Sequence, residues 1–165
     1  MNIRLLNSND AEAYLEMRLT ALQNHPAAFA SSYEEEKDRP AKMYGERFQS
    51  EESFTFGAFD NETLIGSVTL LREMKLKLKH RANIVAMYVS PDYRKKSIGR
   101  MLMTAAIDKA KELNGIEQIY LSVEATNIPA IRLYSSFGFE VYGEDKKALK
   151  VGETYFDEKH MVLHL

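Results

Sequence analysis

The most constraining feature of this sequence is a change of periodicity between residues 81 and 113. The run Arg81–Val89 is rich in aliphatic and aromatic residues, which is typical of a strand inside a sheet. A basic turn follows, and apolar residues then recur at helical spacing until Asn114 and Gly115 end the pattern. A central strand joined closely to an amphipathic helix predicts a sheet with a helix packed on its face.

Further elements are predicted on both sides of this unit. A helix that begins with Asn9 as its N-cap is expected in the first quarter of the chain. Helical patterns are also expected at 33–49 and 127–136, and strands at 2–6, 54–59, 63–71, 116–123, 139–142 and 154–165. This order predicts an α/β (α+β) fold with a central sheet and helices inserted after its third strand and after the strand that follows. With 165 residues and no linker-like tract, we expect one domain over 1–165.

Composition excludes several classes of function. The formal net charge is -2, which does not favour general nucleic-acid binding. The chain has no cysteine, so neither disulfides nor a thiol nucleophile are expected, and His25, His80, His160 and His164 lack metal-ligand spacing. No signal peptide or long apolar run is evident, so we expect a cytoplasmic protein without a membrane span.

The residues between the central strand and the helix carry the strongest chemical signal. Four of them are basic: Arg94, Lys95, Lys96 and Arg100. Free N–H groups at a helix start attract phosphate, and the small residues Ser97 and Gly99 permit close approach of a ligand. The spacing is neither that of a P-loop nor that of a dinucleotide fingerprint. A solvated basic turn is the alternative explanation.

A second segment, at 127–139, places polar groups at the two ends of a short helix. Asn127 is suited to cap the helix start, and Tyr134 lies near the helix end, where its hydroxyl could reach an adjacent cleft. An ordinary core role for Tyr134 is the alternative.

Together the two segments resemble the GNAT superfamily of acetyltransferases. Arg94, Gly99 and the residues between them match the family's Gln/Arg-x-x-Gly-x-Gly/Ala signature. The second segment matches Asn-x-x-Ala-x-x-Leu-Tyr-x-x-x-Gly-Phe through Asn127, Ala130, Leu133, Tyr134, Gly138 and Phe139. Ser97 departs from the family, which usually has glycine there. We predict that Ser97 is an N-cap with ordinary φ, since a positive φ would cost about 1 kcal/mol.

The resemblance implies a mixed, mostly antiparallel central sheet with flanking helices and a splayed parallel strand pair. It also implies a binding site for acetyl-CoA and no metal. A splayed strand ending in Met87-Tyr88-Val89, parallel to 121–123, would hold the pantetheine arm. The N–H groups of Lys95, Lys96, Ser97, Ile98, Gly99 and Arg100 would hold the diphosphate, with Arg94, Asn127 and Tyr134 also at the cofactor. Tyr134 matches the family's general acid, and a backbone N–H near Val89 could stabilise the oxyanion.

The acceptor is implied to be an amine, which must lose a proton before it attacks the thioester. Glu124 and Glu73 are candidate bases, and each could equally be a surface carboxylate. We expect the acceptor to be a primary amine of a small molecule, with a protein or peptide amine and a non-catalytic coenzyme A-binding role as the alternatives. The resemblance also leaves room for a homodimer.

Overall fold

The computed structural model describes residues 1–165, which form seven strands and five α-helices. The helices are α1 (Ala11–Asn24), α2 (Tyr33–Glu36), α3 (Ala41–Arg47), α4 (Ile98–Glu112) and α5 (Ile128–Ser136). The strands are β1 (Asn2–Leu5), β2 (Ser53–Asp60), β3 (Thr63–Arg72), β4 (Arg81–Val89), β5 (Gln118–Glu124), β6 (Glu140–Val151) and β7 (Thr154–His164).

All seven strands belong to one sheet in the order β1-β2-β3-β4-β5-β7-β6. Every neighbouring pair is antiparallel except β4 and β5, which run parallel. A parallel pair needs a crossover, and α4 supplies it between these two strands. The predicted mixed, mostly antiparallel sheet is therefore confirmed.

Apolar clusters lie on the two faces of the sheet, as the alternation along β3 shows. Ile65 belongs to the larger cluster, which contains the buried side of α4, while Leu64 belongs to a second cluster with α1 and α3. Successive strand residues point to opposite faces, so α4 covers one face of the sheet and α1 covers the other. We call these the α4 face and the α1 face.

Two expectations about element boundaries are wrong. Asn7, and not Asn9, caps the first helical turn, because its side chain accepts from the Asn9 N–H while Asp10 completes a capping box. Strand β6 continues to Val151, well beyond residue 142, because a polar and charged segment pairs with β7 as an exposed edge. None of the helices has the length and apolarity that a membrane span requires.

Candidate active site

Strands β4 and β5 separate towards their carboxyl ends. They pair only at Arg81–Asn83 with Gln118–Tyr120, although β4 continues to Val89 and β5 to Glu124. The unpaired remainders border an opening that we call the β4–β5 gap. The predicted splayed parallel pair is therefore confirmed.

A β-bulge explains why β4 leaves its neighbour. Ser67 of β3 faces Tyr88, but Thr69 faces Val85, so Ala86 and Met87 together oppose one residue of β3. Ala86 has a positive φ of 52°. An extra residue of this kind bends and twists its strand. The bulge therefore redirects the end of β4 just where the gap opens.

The end of β4 turns backbone groups towards the gap. The Ser90 N–H donates to the Ile65 carbonyl on β3 at 2.8 Å. Backbone groups of successive strand residues point in alternate directions, so the N–H and C=O of Val89 face the gap. The Val89 carbonyl accepts from Arg94 Nε at 3.0 Å, while its N–H has no acceptor on β3.

The turn after β4 presents a continuous row of free backbone donors. None of the six N–H groups from Lys95 to Arg100 has an acceptor within the chain, and the first helical bond runs from the Met101 N–H to the Ser97 carbonyl at 3.0 Å. Lys95 and Ser97 both have φ of 62°, with Lys96 between them at negative φ. Alternation of this kind makes a concave nest of N–H groups that favours anions. We call residues 95–100 the phosphate turn.

The prediction for Ser97 is wrong. Ser97 lies at the N-cap position but has left-handed φ and ψ of 62° and 10°, and its side chain makes no capping hydrogen bond. An N-cap serine usually has an extended backbone, but here the left-handed conformation directs consecutive N–H groups into the nest. Ser97 therefore carries the strain that a glycine would relieve.

Two of the four basic side chains around the turn form hydrogen bonds with the protein. Arg94 reaches the Val89 carbonyl and His25 Nε2, the latter at 3.1 Å. Arg100 donates to Ser136 Oγ at 2.9 Å and lies over the Phe137 ring. Arg94 therefore stabilises the end of β4 at the opening of the gap, and Arg100 stabilises the end of α5.

The two lysines at the turn are held less firmly. The Lys96 ammonium lies 5.0 Å from the centre of the Tyr93 ring. Lys95 and Lys96 form neither hydrogen bonds nor ion pairs through their side chains. They are therefore the charges of the turn that are most available to a ligand.

Gly99 joins the phosphate turn to its neighbours. A Cβ built at this position would lie 3.2 Å from Leu133 Cδ2 on α5 and 3.3 Å from Met87 Cε on β4. Contacts this short leave almost no room for a side chain. The start of α4 therefore packs closely against α5 and β4.

Tyr134 lies beside this junction, in the core on the α4 face. Asn127 Oδ1 accepts from the Ala130 N–H at 3.3 Å and caps the helix that carries the tyrosine. The Tyr134 ring packs against Phe139 and is 7% exposed, and burial raises its pKa to about 12. The hydroxyl has no hydrogen-bond partner within the chain, yet its oxygen is not fully sealed from the surface. It is thus a neutral donor free to bind a ligand.

The two candidate bases lie at opposite ends of the gap. Glu73 accepts from Asn83 Nδ2 at 2.9 Å, at the closed end, where β4 still pairs with β5. From Asn83 to Val89 the strand rises about 20 Å, so Glu73 lies far from the backbone N–H near Val89 that is the proposed oxyanion donor. Glu73 stays a prediction as a base, and it lies at the end of the gap remote from Val89. Glu124 lies at the open end, but its Oε2 accepts from the Thr126 N–H and Oγ1.

Residues that the sequence analysis did not select meet on the α1 face of β5, β7 and β6. Ser122 faces His160 across the strands, and Ser122 Oγ lies 2.7 Å from His160 Nδ1. Asp145 and Glu158 stand beside this pair. Only the strand register brings them together, so the sequence alone carried no signal for the cluster.

The gap, the phosphate turn and the neighbouring tyrosine therefore lie together where β4 ends and α4 begins. The sequence model of the acetyltransferase (GNAT) family matches residues 19–139, which is more than half of the chain. The chain therefore belongs to the GNAT family of acetyltransferases.

Individual relatives support this assignment. The chain is 32% identical over 138 residues to the mycothiol acetyltransferase of Brachybacterium faecium, covering 84% of this chain and 40% of that protein. It is 29% identical over 153 residues to the spermidine N(1)-acetyltransferase of Thermoplasma acidophilum, covering 88% and 91%. The chain thus spans about two fifths of the mycothiol enzyme but nearly all of the spermidine enzyme.

A solved structure shows the same fold. A putative acetyltransferase from Salmonella typhimurium, determined with its cofactor acetyl-CoA, superposes with a TM-score of 0.87 at 21% identity. The superposition covers 100% of this chain and 94% of that one.

Proposed function

We propose that this protein transfers the acetyl group of acetyl-CoA to a primary amine of a small molecule. One observation carries the proposal: six consecutive N–H groups without acceptors lie at the mouth of a gap between two parallel strands. Such a row suits a diphosphate, and the gap suits a narrow arm that needs backbone partners. The names of two relatives, a mycothiol acetyltransferase and a spermidine N(1)-acetyltransferase, each refer to a small molecule and favour a small acceptor.

In this proposal each part of the gap has a separate task. The phosphate turn holds the diphosphate, and the gap-facing N–H near Val89 donates to the thioester oxygen. One such donor is worth about 3 kcal/mol in the transition state. Acetyl-CoA supplies an activated acyl group and a sulfur leaving group. The reaction needs no covalent enzyme intermediate, which agrees with a chain that has no cysteine.

Tyr134 would assist the departing sulfur by hydrogen bonding. A thiol has a pKa of roughly 8.5, whereas burial raises the pKa of Tyr134 to about 12. Full proton transfer from this phenol to the thiolate would therefore cost about 5 kcal/mol. A hydrogen bond from the neutral phenol to the developing thiolate avoids that cost. Tyr134 thus acts as a neutral donor that lowers the barrier modestly.

The test is a free-thiol release assay with acetyl-CoA and a panel of spermidine, amino-acid amides and peptides with a free amino terminus. We expect thiol release that depends on both substrates and is fastest with a small amine. Faster release with a peptide would favour a protein acceptor. Calorimetric binding of acetyl-CoA without transfer to any amine would instead indicate a non-catalytic coenzyme A-binding protein.

A further inference from the structure

We propose that Ser122 and His160 form a proton relay that deprotonates the acceptor amine, a role that rests on the proposed acetyl transfer. An alkylammonium ion has a pKa of roughly 10 and cannot attack a thioester until it loses a proton. A proton acceptor beside the gap is therefore needed at neutral pH. Of the two carboxylates predicted from the sequence, Glu73 is distant and Glu124 is engaged by Thr126.

Ser122 borders the gap directly. The last residue of β5 that pairs with β4 is Tyr120, so Ser122 belongs to the unpaired margin of β5. Its neighbours Leu121 and Val123 are buried in the core with α4, which turns the exposed Ser122 side chain to the α1 face. An arm that runs inward from the phosphate turn along this margin would pass beside Ser122.

His160 supports the serine from the next strand. It stands opposite Ser122 in the register of β5 and β7, and Nδ1 lies 2.7 Å from Ser122 Oγ. Its Nε2 lies 3.9 Å from Asp145 Oδ2 on β6, on the side away from the gap. The carboxylate favours the tautomer with its proton on Nε2. In this tautomer Nδ1 accepts the hydroxyl proton of Ser122.

The relay and Tyr134 lie on opposite faces of β5. Tyr134 belongs to the core on the α4 face, whereas Ser122 and His160 are on the α1 face. An amine that enters from the α1 face would meet the relay first, and the sulfur would depart towards Tyr134. The two proton-handling groups therefore serve opposite sides of the same acyl carbon.

The relay step balances in protons and charge. The ammonium N–H transfers its proton to Ser122 Oγ while the Ser122 O–H transfers its own proton to His160 Nδ1. The products are a neutral amine, an unchanged serine and an imidazolium. The amine lone pair then forms the C–N bond as the C–S bond breaks. His160 afterwards returns its proton to water, which it can reach because its side chain is 29% exposed.

Acidic side chains from three strands lie around the imidazole of His160. Asp145 faces it from β6, Glu158 precedes it by two residues on β7, and Glu124 faces Glu158 from β5. Burial raises the pKa of Glu158; His160 partly opposes this rise, and Asp145 adds a smaller one. The remaining titratable neighbour is Tyr142, whose ring lies 6.0 Å from the imidazole.

The experiment compares the pH dependence of kcat/KM for His160→Gln, Ser122→Ala and the double variant, with spermidine as the probe acceptor. The matched control is His164→Gln, which alters a histidine on the same strand near Gln118, at the closed end of the gap. At pH 7 we expect each relay variant to lose about 100-fold, and the double variant no more, because both groups serve one path. The control should keep wild-type activity.

The pH profile separates a relay from a structural role. Above neutral pH the wild type should have a nearly constant kcat/KM. The relay variants depend on amine already deprotonated in solution, so their kcat/KM should rise about tenfold per pH unit towards the amine pKa of roughly 10. Calorimetric affinity for acetyl-CoA should stay within about twofold in every variant. NMR of the His160 ring should show the Nε2–H tautomer in the wild type and its weakening in Ser122→Ala.

Two results would overturn the relay while leaving acetyl transfer intact: unchanged activity in His160→Gln, or a loss that is equal at all pH values. Binding of acetyl-CoA by the wild type without transfer to any amine would remove the proposed function and the relay together. Ser122→Ala is the milder change, so it decides the matter if His160→Gln does not fold.

Discussion

The two sides of the β4–β5 gap present different chemical groups, backbone amides on one side and side chains on the other. On one side the phosphate turn presents backbone N–H groups, with Arg94 and Arg100 directed to protein partners. On the other side the α1 face presents side chains, among them Ser122, His160 and Glu158. A site made of backbone tolerates changes of side chain unless they alter its shape, whereas a site made of side chains can change with single substitutions.

This difference suits the two substrates of an acyl transferase. A diphosphate needs donors of fixed geometry, and a helix start supplies them at low cost in side-chain entropy. An acceptor amine varies in shape and charge, so side chains on an exposed sheet face can specify it. Substitutions at the turn should therefore act through the shape and charge that the turn presents to the diphosphate. Substitutions on the α1 face should act through proton transfer.

The largest expected effect comes from Gly99→Asp. The new side chain meets Leu133 and Met87 at 3.2–3.3 Å and brings a negative charge next to the diphosphate. A like charge 5 Å away costs about 3 kcal/mol at an effective dielectric constant of 20. We expect calorimetric affinity for acetyl-CoA to fall at least about 100-fold.

Gly99→Asn separates shape from charge, because it has the size of the aspartate without its charge. If shape dominates, Asn should lose most of what Asp loses. Equal affinity of the wild type and both variants would show that residues 95–100 do not hold the phosphates.

Tyr134→Phe should have the next largest effect, and it should fall on turnover rather than binding. Loss of one hydrogen bond to the developing thiolate is expected to lower kcat about 10-fold to 50-fold, with affinity for acetyl-CoA nearly unchanged. Steady-state kinetics with calorimetry provide the measurement. Wild-type kcat in the variant would leave Tyr134 with a packing role alone.

The raised pKa of Tyr134 adds a check through stability. A phenol with a folded pKa of about 12 and an unfolded pKa of roughly 10 favours the folded state below pH 10, and this contribution disappears as the pH rises to 12. Urea unfolding should therefore show the wild type losing up to about 3 kcal/mol more than Tyr134→Phe over that range. Parallel losses in the two proteins would contradict the assignment of this pKa to Tyr134.

A smaller effect is expected at the lysines of the turn. Lys95→Ala should weaken acetyl-CoA binding only about threefold to fivefold, because an exposed charge contributes little in water and salt screens it. The contribution of the Lys95 charge to acetyl-CoA affinity should vanish at high ionic strength, as calorimetry over a salt series would show. A loss as large as that of Gly99→Asp would mean that side-chain charge, and not backbone geometry, controls recognition.

The sequence predicted those parts of the site that lie within short segments. The β2–β3 hairpin, strand β4, helix α4 and the free donors of the phosphate turn all follow from local periodicity and helix-end chemistry. Ser122 and His160 lie 38 residues apart, and only the pairing of β5 with β7 joins them. A one-residue change of register would have turned one of them to the other face, and no local pattern fixes that choice.

The partners of the arginines were hidden for a similar reason. His25 lies 69 residues from Arg94, so the sequence does not show that the two side chains are in contact. From the sequence alone, the four basic residues of the turn therefore look equivalent. The structure shows that two of these charges brace the protein. Strand β6 was underestimated because its polar residues lack strand-like alternation, although pairing with β7 extends it to Val151.

The smallest effect tests the local rule that failed at Ser97. Serine is a favoured N-cap, yet here it adopts φ of 62° without a capping hydrogen bond. Ser97→Gly should remove about 1 kcal/mol of strain and raise Tm about 2–4 °C, with affinity for acetyl-CoA within twofold because the N–H groups keep their places. Ser97→Ala is the matched control, since it removes the hydroxyl and keeps the strain, and its Tm should stay near that of the wild type. If Ser97→Gly instead lowers Tm while Ser97→Ala does not, the left-handed backbone conformation of Ser97 is not strained.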